Sequence, residues 1–194
     1  MNELLKMTAH QVKEGKFDKV ILAIGSCEAH GQHLAEGCDT IVSYELSKQV
    51  ADRVPGMLVL PPITVGYSGH YDTFPFTLTF DYETMIHVIY DIVESVLRNG
   101  INKIFLMNGH DGNIAPIEIA ARKIKEKYPD ARIASLPEWW VIAGKLVPEG
   151  TFAVWNGLGH AGEGETSIAY HLFPQWCEPD QATCVVPDHL PEHV

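Results

Sequence analysis

The sequence predicts an α/β fold, an open and mainly parallel sheet with helices on both faces. Three observations carry that expectation. Four apolar runs of strand length, Val20–Ile24, Met57–Leu60, Ile104–Met107 and Ile133–Leu136, each stop at Gly, Pro or Asn, as a strand does where it runs out into a loop. Helical patterns fill the intervals between them. Strands alternating with helices of this length read as βαβ units, whose crossover helices cover both faces of a parallel sheet.

The helices follow from periodicity and punctuation. Ile41–Arg53 begins just after Asp39, a residue suited to an N-cap, and stops before Pro55-Gly56. Tyr82–Asn99 places Met85, Ile89, Ile92, Val93, Val96 and Leu97 along one stripe and ends at Gly100. In Ile114–Tyr128 the residues Ile117, Ala120, Ala121 and Ile124 recur at similar spacing, and Pro129 ends the pattern. No internal repeat, low-complexity run or linker interrupts the chain, so one domain over residues 1–194 is expected.

Composition narrows the function classes. The chain is 46% hydrophobic and 20% charged, ordinary for a domain with a full core. A formal net charge of −11 argues against a nucleic-acid surface, and the basic stretch Arg122–Lys127 reads as a solvated helix face. With no membrane-length apolar run and no signal-peptide layout, the expectation is a cytoplasmic protein that does not engage the membrane. Cys27, Cys38, Cys177 and Cys184 lack the spacing of a zinc ribbon or a disulfide framework, and Cys27 and Cys38 read as small residues in a tight site. No G-x-G-x-x-G follows the first strand, which excludes a dinucleotide-binding module.

Ligands of an open α/β sheet bind outside the carboxyl ends of its strands. The segments that follow the strands here are GSCEAHGQHLAEGCD, PPITVGYSGHYD, NGHDGN and PEWW, and the first three hold most of the reactive side chains. Glu28 and His30 lie two residues apart, which on an extended segment puts them on one face roughly 6–7 Å apart, a span that suits two neighbouring ions. Asp39 could bridge both ions from the start of a helix, where the dipole favours a carboxylate. His110 arrives on a glycine-rich turn, and Glu165, in His160-Ala-Gly-Glu-Gly-Glu-Thr, could add an oxygen at the start of another helix. Glu28, Asp39 and Glu165 with one hydroxide would balance two divalent cations. Mixed imidazole and carboxylate donors suit zinc, manganese or iron better than calcium or magnesium. Water between two such ions would ionise near neutral pH. His33 and His70 read equally as supporting partners or as loop surface, while His10, His87, His171, His189 and His193 read as structural.

These residues resemble the signatures of the creatininase (creatinine amidohydrolase) family. Gly25-Ser26-x-Glu28-x-His30-Gly31-x-His33-Leu34 with Asp39 looks like its opening signature, Asn108-Gly109-His110-x-Gly112-Asn113 its second, and His160-Ala161-Gly162-Glu163-x-Glu165-Thr166-Ser167 its third. The segment from Ser68 through Phe74-Pro75 to Leu78 is similar to the loop before the family's long helix. The resemblance implies a three-layer αβα fold and a homo-oligomer, commonly a hexamer. It implies one ion held by Glu28, Asp39 and His110 and another by His30 and Asp39, with His160 passing a proton to the leaving nitrogen and the acidic Glu165 beside it. Creatininases proper carry a glutamate ligand of the second ion where this chain has Gly112, which implies a place in the broader branch and either Glu165 as the substitute ligand or a weaker second site. The stop at Pro-Glu-His-Val194 comes earlier than the resemblance leads one to expect, which implies either a truncated C-terminal end or a final strand or tail supplied by a neighbouring subunit.

The function expected is a metal-dependent amidohydrolase. Two divalent ions would deliver hydroxide to the carboxamide or formamide carbon of a small, cyclic substrate, and His160 would protonate the departing nitrogen. Residues 25–39, 62–80, 108–113 and 159–167 contain no Lys or Arg, which disfavours a phosphorylated substrate. Trp139, Trp140 and Trp155 read either as the walls of a pocket for a flat ring or as core. The alternatives are a metal-binding accessory protein without turnover and an enzyme resembling a formamidopyrimidine-nucleotide deformylase. The family also includes a peptidase of mycofactocin maturation.

Overall fold

The computed structural model describes residues 2–154, 157 and 159–185. The chain forms two compact units. Residues up to Ala29 together with Glu36–Trp139 make the first, and His30–Ala35 with the chain from Trp140 onward make the second.

The first unit is built on four parallel strands, β1 (Lys19–Ile24), β2 (Met57–Val59), β3 (Lys103–Asn108) and β4 (Arg132–Leu136), in the order β2-β1-β3-β4. Side chains of a strand alternate between faces, and both faces of β1 are apolar. Val20, Leu22 and Ile24, with Ile104 and Leu106 of β3, pack against Met85, Ile89 and Val93 of α3 (Tyr82–Arg98) and Ile117, Ala120 and Ile124 of α4 (Ile114–Lys127). On the opposite face Ile21, Val59 and Met107 meet Ala51 of α2 (Cys38–Arg53). Each fully buried aliphatic side chain contributes about 1.5–3 kcal/mol. Helices on both faces of a parallel sheet give the αβα layering that the alternation predicts.

The boundaries show where sequence signals mislead. Helix α2 starts at Cys38 with Gly37 as its N-cap, so Asp39 stands inside the first turn and does not cap the helix. In α3 the Asp81 carboxylate does cap, accepting from the Thr84 amide at 2.6 Å, and the chain leaves the helix through Gly100 at φ +86°. The basic stretch of α4 is solvent-facing as expected, with only Ile124 of Arg122–Lys127 buried. A six-residue helix α1 (Ala9–Glu14) precedes the sheet, opened by a capping box between Thr8 and Gln11. It is too short to show a period in the sequence.

Helix α5 (Trp139–Leu146) leads into the second unit, which also contains α6 (Glu163–Leu172) and two 3-10 turns, Pro174–Trp176 and Pro179–Gln181. Phe173 is buried there beside Trp176, and the Glu178 amide donates to the His33 carbonyl at 2.8 Å.

One carboxylate ties α3 to α4. Glu94 accepts from Lys127 Nζ at 2.7 Å, Tyr128 OH at 3.0 Å, Tyr90 OH at 3.1 Å and Arg98 at 2.9 Å. Hydrogen bonds from Lys127 and then Tyr128 hold its pKa at about 2, against an ordinary value of 4.5. A depressed carboxyl stabilises the fold above its unfolded pKa and loses that contribution as pH falls through the folded one. Glu94→Gln should therefore lower the urea midpoint at neutral pH, and the gap from the parent should close between about pH 4.5 and pH 2. A gap that persists at pH 2 would exclude this source.

Candidate metal centre

The site begins with strand register. Ile24 of β1 pairs with Asn108 of β3, and the Gly109 amide donates to the Ile24 carbonyl at 2.7 Å, so both strands end level. Asn108 then ties down the turn that follows. Its Nδ2 donates to the carbonyls of His110 (2.6 Å) and Pro137 (2.9 Å), and its Oδ1 accepts from the His110 amide at 3.2 Å. Glycine is required at 109 because a Cβ there would lie 2.3 Å from the Asp39 carbonyl oxygen. Asn113 fastens the next loop, accepting from the Tyr67 amide through Oδ1 and donating to the Gly25 carbonyl through Nδ2, both at 3.0 Å.

Glu28, Asp39 and His110 meet within this frame, each at least 95% buried. His110 Nδ1 lies 3.0 Å from Asp39 Oδ2 and 3.3 Å from Glu28 Oε1. Its Nε2 lies 2.7 Å from the Tyr67 carbonyl oxygen. A carbonyl only accepts, so Nε2 carries a proton, and with a metal bound the neutral ring would turn the lone pair of Nδ1 toward the carboxylates. This is how a ligating histidine is held, by a hydrogen bond from its far nitrogen. Ser26 Oγ donates to Asp39 Oδ2 at 2.7 Å and orients that carboxylate. Burial alone would lower the His110 pKa, but the Asp39 hydrogen bond and charge, the Glu28 charge and the Tyr67 carbonyl outweigh it and raise the pKa. The pocket thus favours a cation between these groups, whether a proton or a metal. Two buried carboxylates and one oriented imidazole fit zinc, manganese or iron(II).

Position 112 has no room for a side chain. A Cβ on Gly112 would lie 2.2 Å from the Tyr67 carbonyl oxygen and 2.7 Å from His110 Nε2. The carbonyl that orients His110 takes the room a side chain would need. His70, on the same loop, offers a ring nitrogen such that ligand atoms of Glu28, His70 and His110 all lie within 4.8 Å of one another.

In the second unit the rings of His30 and His160 approach to 4.3 Å between centroids, His30 buried and His160 exposed. Glu165, in the first turn of α6, accepts from the Ala161 amide at 2.6 Å. Ala161 has φ +52°, a left-handed conformation uncommon outside glycine and often stored at functional turns. Thr166 Oγ1 donates to the Ala161 carbonyl at 3.1 Å and so accepts from His33 Nε2 at 2.8 Å. His33 is therefore a bracing residue. The expected groups thus fall into two sets, Glu28, Asp39 and His110 in the first unit and His30, His160 and Glu165 in the second.

Other expectations resolve separately. Trp139 is buried and Trp140 half-buried, while Trp155, His189 and His193 lie outside the described residues. His10, His87 and His171 are exposed on helices and have no core role. Ser26, Asn113 and the Tyr67 carbonyl are site residues that reactive-group reasoning missed. The Asn-Gly-His-x-Gly-Asn spacing could have flagged Asn113. Nothing in the sequence marks a carbonyl.

A parallel αβα sheet with carboxylates and imidazole buried beyond its strand ends is the architecture of a metal-binding α/β protein. The family model described as "Creatininase: Creatinine amidohydrolase" matches residues 5–194, and the chain belongs to the creatininase family. It is 31% identical over 187 residues to the creatinine amidohydrolase of Pseudomonas putida, covering 89% of this chain and 69% of that protein. It is 27% identical over 183 residues to the mycofactocin precursor peptide peptidase of Mycobacterium ulcerans, covering 90% of this chain and 66% of that one. Among solved structures, a manganese creatininase superposes with a TM-score of 0.81 at 28% identity, over 99% of this chain and 80% of the other. A Zn-Zn type creatininase mutant gives a TM-score of 0.79 at 28% identity, over 98% and 80%. Family and donor set together identify a metal-dependent amidohydrolase of the broader branch.

Because Gly112 faces the Tyr67 carbonyl, Gly112→Ala should cost about 1–3 kcal/mol, the usual penalty of overpacking, and should reduce bound metal by displacing His110. Urea unfolding and elemental analysis check both effects, and a variant with parental stability and metal content would overturn this account.

Proposed function

We propose that the protein hydrolyses an amide C–N bond of a small, uncharged substrate with two divalent ions held by Glu28, His30, Asp39, His110 and Glu165. The observation that carries the proposal is the buried set of Glu28, Asp39 and His110, with the imidazole tautomer fixed by Tyr67. When bound, the ions supply Lewis acidity toward the amide carbonyl and an activated water.

The chain's own residues divide the remaining work. Asp39, oriented by Ser26, is the shared carboxylate, and Glu165 supplies the oxygen that position 112 cannot. His160 carries a proton to the departing nitrogen, because an amine leaves poorly until it is protonated. Its exposed imidazole can exchange that proton with solvent near neutral pH. The absence of Lys and Arg from residues 25–39, 62–80, 108–113 and 159–167 favours a neutral cyclic amide or formamide over a phosphorylated one. A second reading, cleavage of a peptide C–N bond, is favoured by the likeness to mycofactocin precursor peptide peptidases.

Asp39→Ala should leave a folded protein by circular dichroism that has lost most of its metal by elemental analysis. Unchanged metal content would remove Asp39 as the shared ligand. His160→Ala should keep its metal and lower kcat by about 10²–10⁴-fold with little change in KM. Both are measured on a panel of cyclic amides, formamides and short peptides. Full activity in His160→Ala would take that residue out of the mechanism, and turnover confined to peptides would select the second reading.

A further inference from the structure

His70 has no assigned role in the family signatures carried by this chain, and its surroundings are those of a ligand. It stands in the 3-10 turn Gly69–Tyr71, where its ring lies nearly parallel to that of His110, 5.7 Å between centroids and 3° between planes. A ring nitrogen of each, with a Glu28 carboxylate oxygen, completes a group of donors within 4.8 Å of one another. The turn is held firmly. Tyr67 is stacked on Tyr82 at 3.7 Å and tied through its amide to Asn113, the Ser68 amide donates to Thr79 Oγ1 at 2.9 Å, and the Tyr71 amide donates to the Ser68 carbonyl at 2.9 Å. An exposed histidine stacked on an aromatic loop is commonplace. One delivered by a pinned turn beside a buried carboxylate and a second, tautomer-fixed imidazole is not.

We infer that His70 is an additional metal ligand, joining Glu28 and His110 on the ion of the first unit. The inference rests on the reading of that cluster as a metal centre. The Tyr67–Tyr71 loop does two things at once, because its carbonyl excludes a side chain at 112 while its turn brings in an imidazole. Zinc bonds of about 2.0–2.1 Å separate tetrahedral donors by roughly 3.3 Å. Binding thus draws the three donors together by no more than about 1.5 Å, within reach of an exposed side chain. A second neutral imidazole beside the carboxylates makes the donor set softer without adding negative charge, which favours zinc over magnesium and calcium.

The test is a competitive chelator titration with zinc on the full chain, comparing the parent, His70→Ala, His70→Gln and the surface control His87→Ala. Both His70 variants should bind one zinc about 10–100-fold more weakly with unchanged circular dichroism, and His87→Ala should match the parent. In the cobalt(II)-loaded protein both should also shift the visible ligand-field bands. Parental zinc affinity and cobalt spectra in the His70 variants would overturn the inference, and a raised KM beside them would make His70 a substrate contact instead. Failure of the parent to bind zinc, manganese or iron(II) would instead overturn the metal-centre reading itself, with His70 falling with it.

Discussion

Two carboxylates removed from water, Glu28 and Asp39, set the terms for everything around them. An ionised carboxyl in a dry interior is strongly unfavourable without compensating positive charge and hydrogen bonds. The chain answers with an imidazole whose proton is kept on the far side by Tyr67, with the Ser26 hydroxyl, and with a place in the first turn of α2, where amide dipoles favour an anion. None of these is a permanent countercharge. The arrangement is stable with a cation between the groups, and it preorganises the donors before one arrives.

The same constraint explains why so much of the frame is polar and buried. Ser26, Ser43, Asn108 and Asn113 are wholly inaccessible, yet each has backbone or carboxylate partners. These bonds fix loops that would otherwise fluctuate, and rotamer freedom in a ligand would be lost on binding at the expense of affinity. The apolar contacts of β1 and β3 with α2, α3 and α4 supply stability. The polar ones supply position.

Much of this was legible in the sequence, for reasons that differ by element. The strands showed because both faces are buried, so β1 and β3 read as continuous apolar runs. Helix α3 showed because one face is apolar along its whole length. Helix α1 is too short to display a period, and α5, Trp-Trp-Val-Ile-Ala-Gly-Lys-Leu, is too uniformly apolar to display one. Glu28, Asp39 and His110 were identifiable from residue type and position at strand ends. The capping role expected of Asp39 failed because the same preference for a helix start serves ligands and caps alike. His70 was ambiguous, since its proximity to His110 depends on how a loop closes. Gly112 read as a position without a ligand, whereas the space a side chain would need is filled by a backbone atom that residue type does not reveal.

The level ending of β1 and β3 has an evolutionary consequence. The first residues after each strand are fixed by ladder hydrogen bonds and therefore tolerate little change. Residues farther along the same loops are anchored at separate points, such as the Asn113 side chain and the Leu78 amide on the Cys27 carbonyl. Mutations can accumulate at those distal positions, reshaping what the cleft admits, without disturbing the donors at the strand tips. A lineage built this way can exchange one substrate for another while inheriting its inorganic chemistry intact.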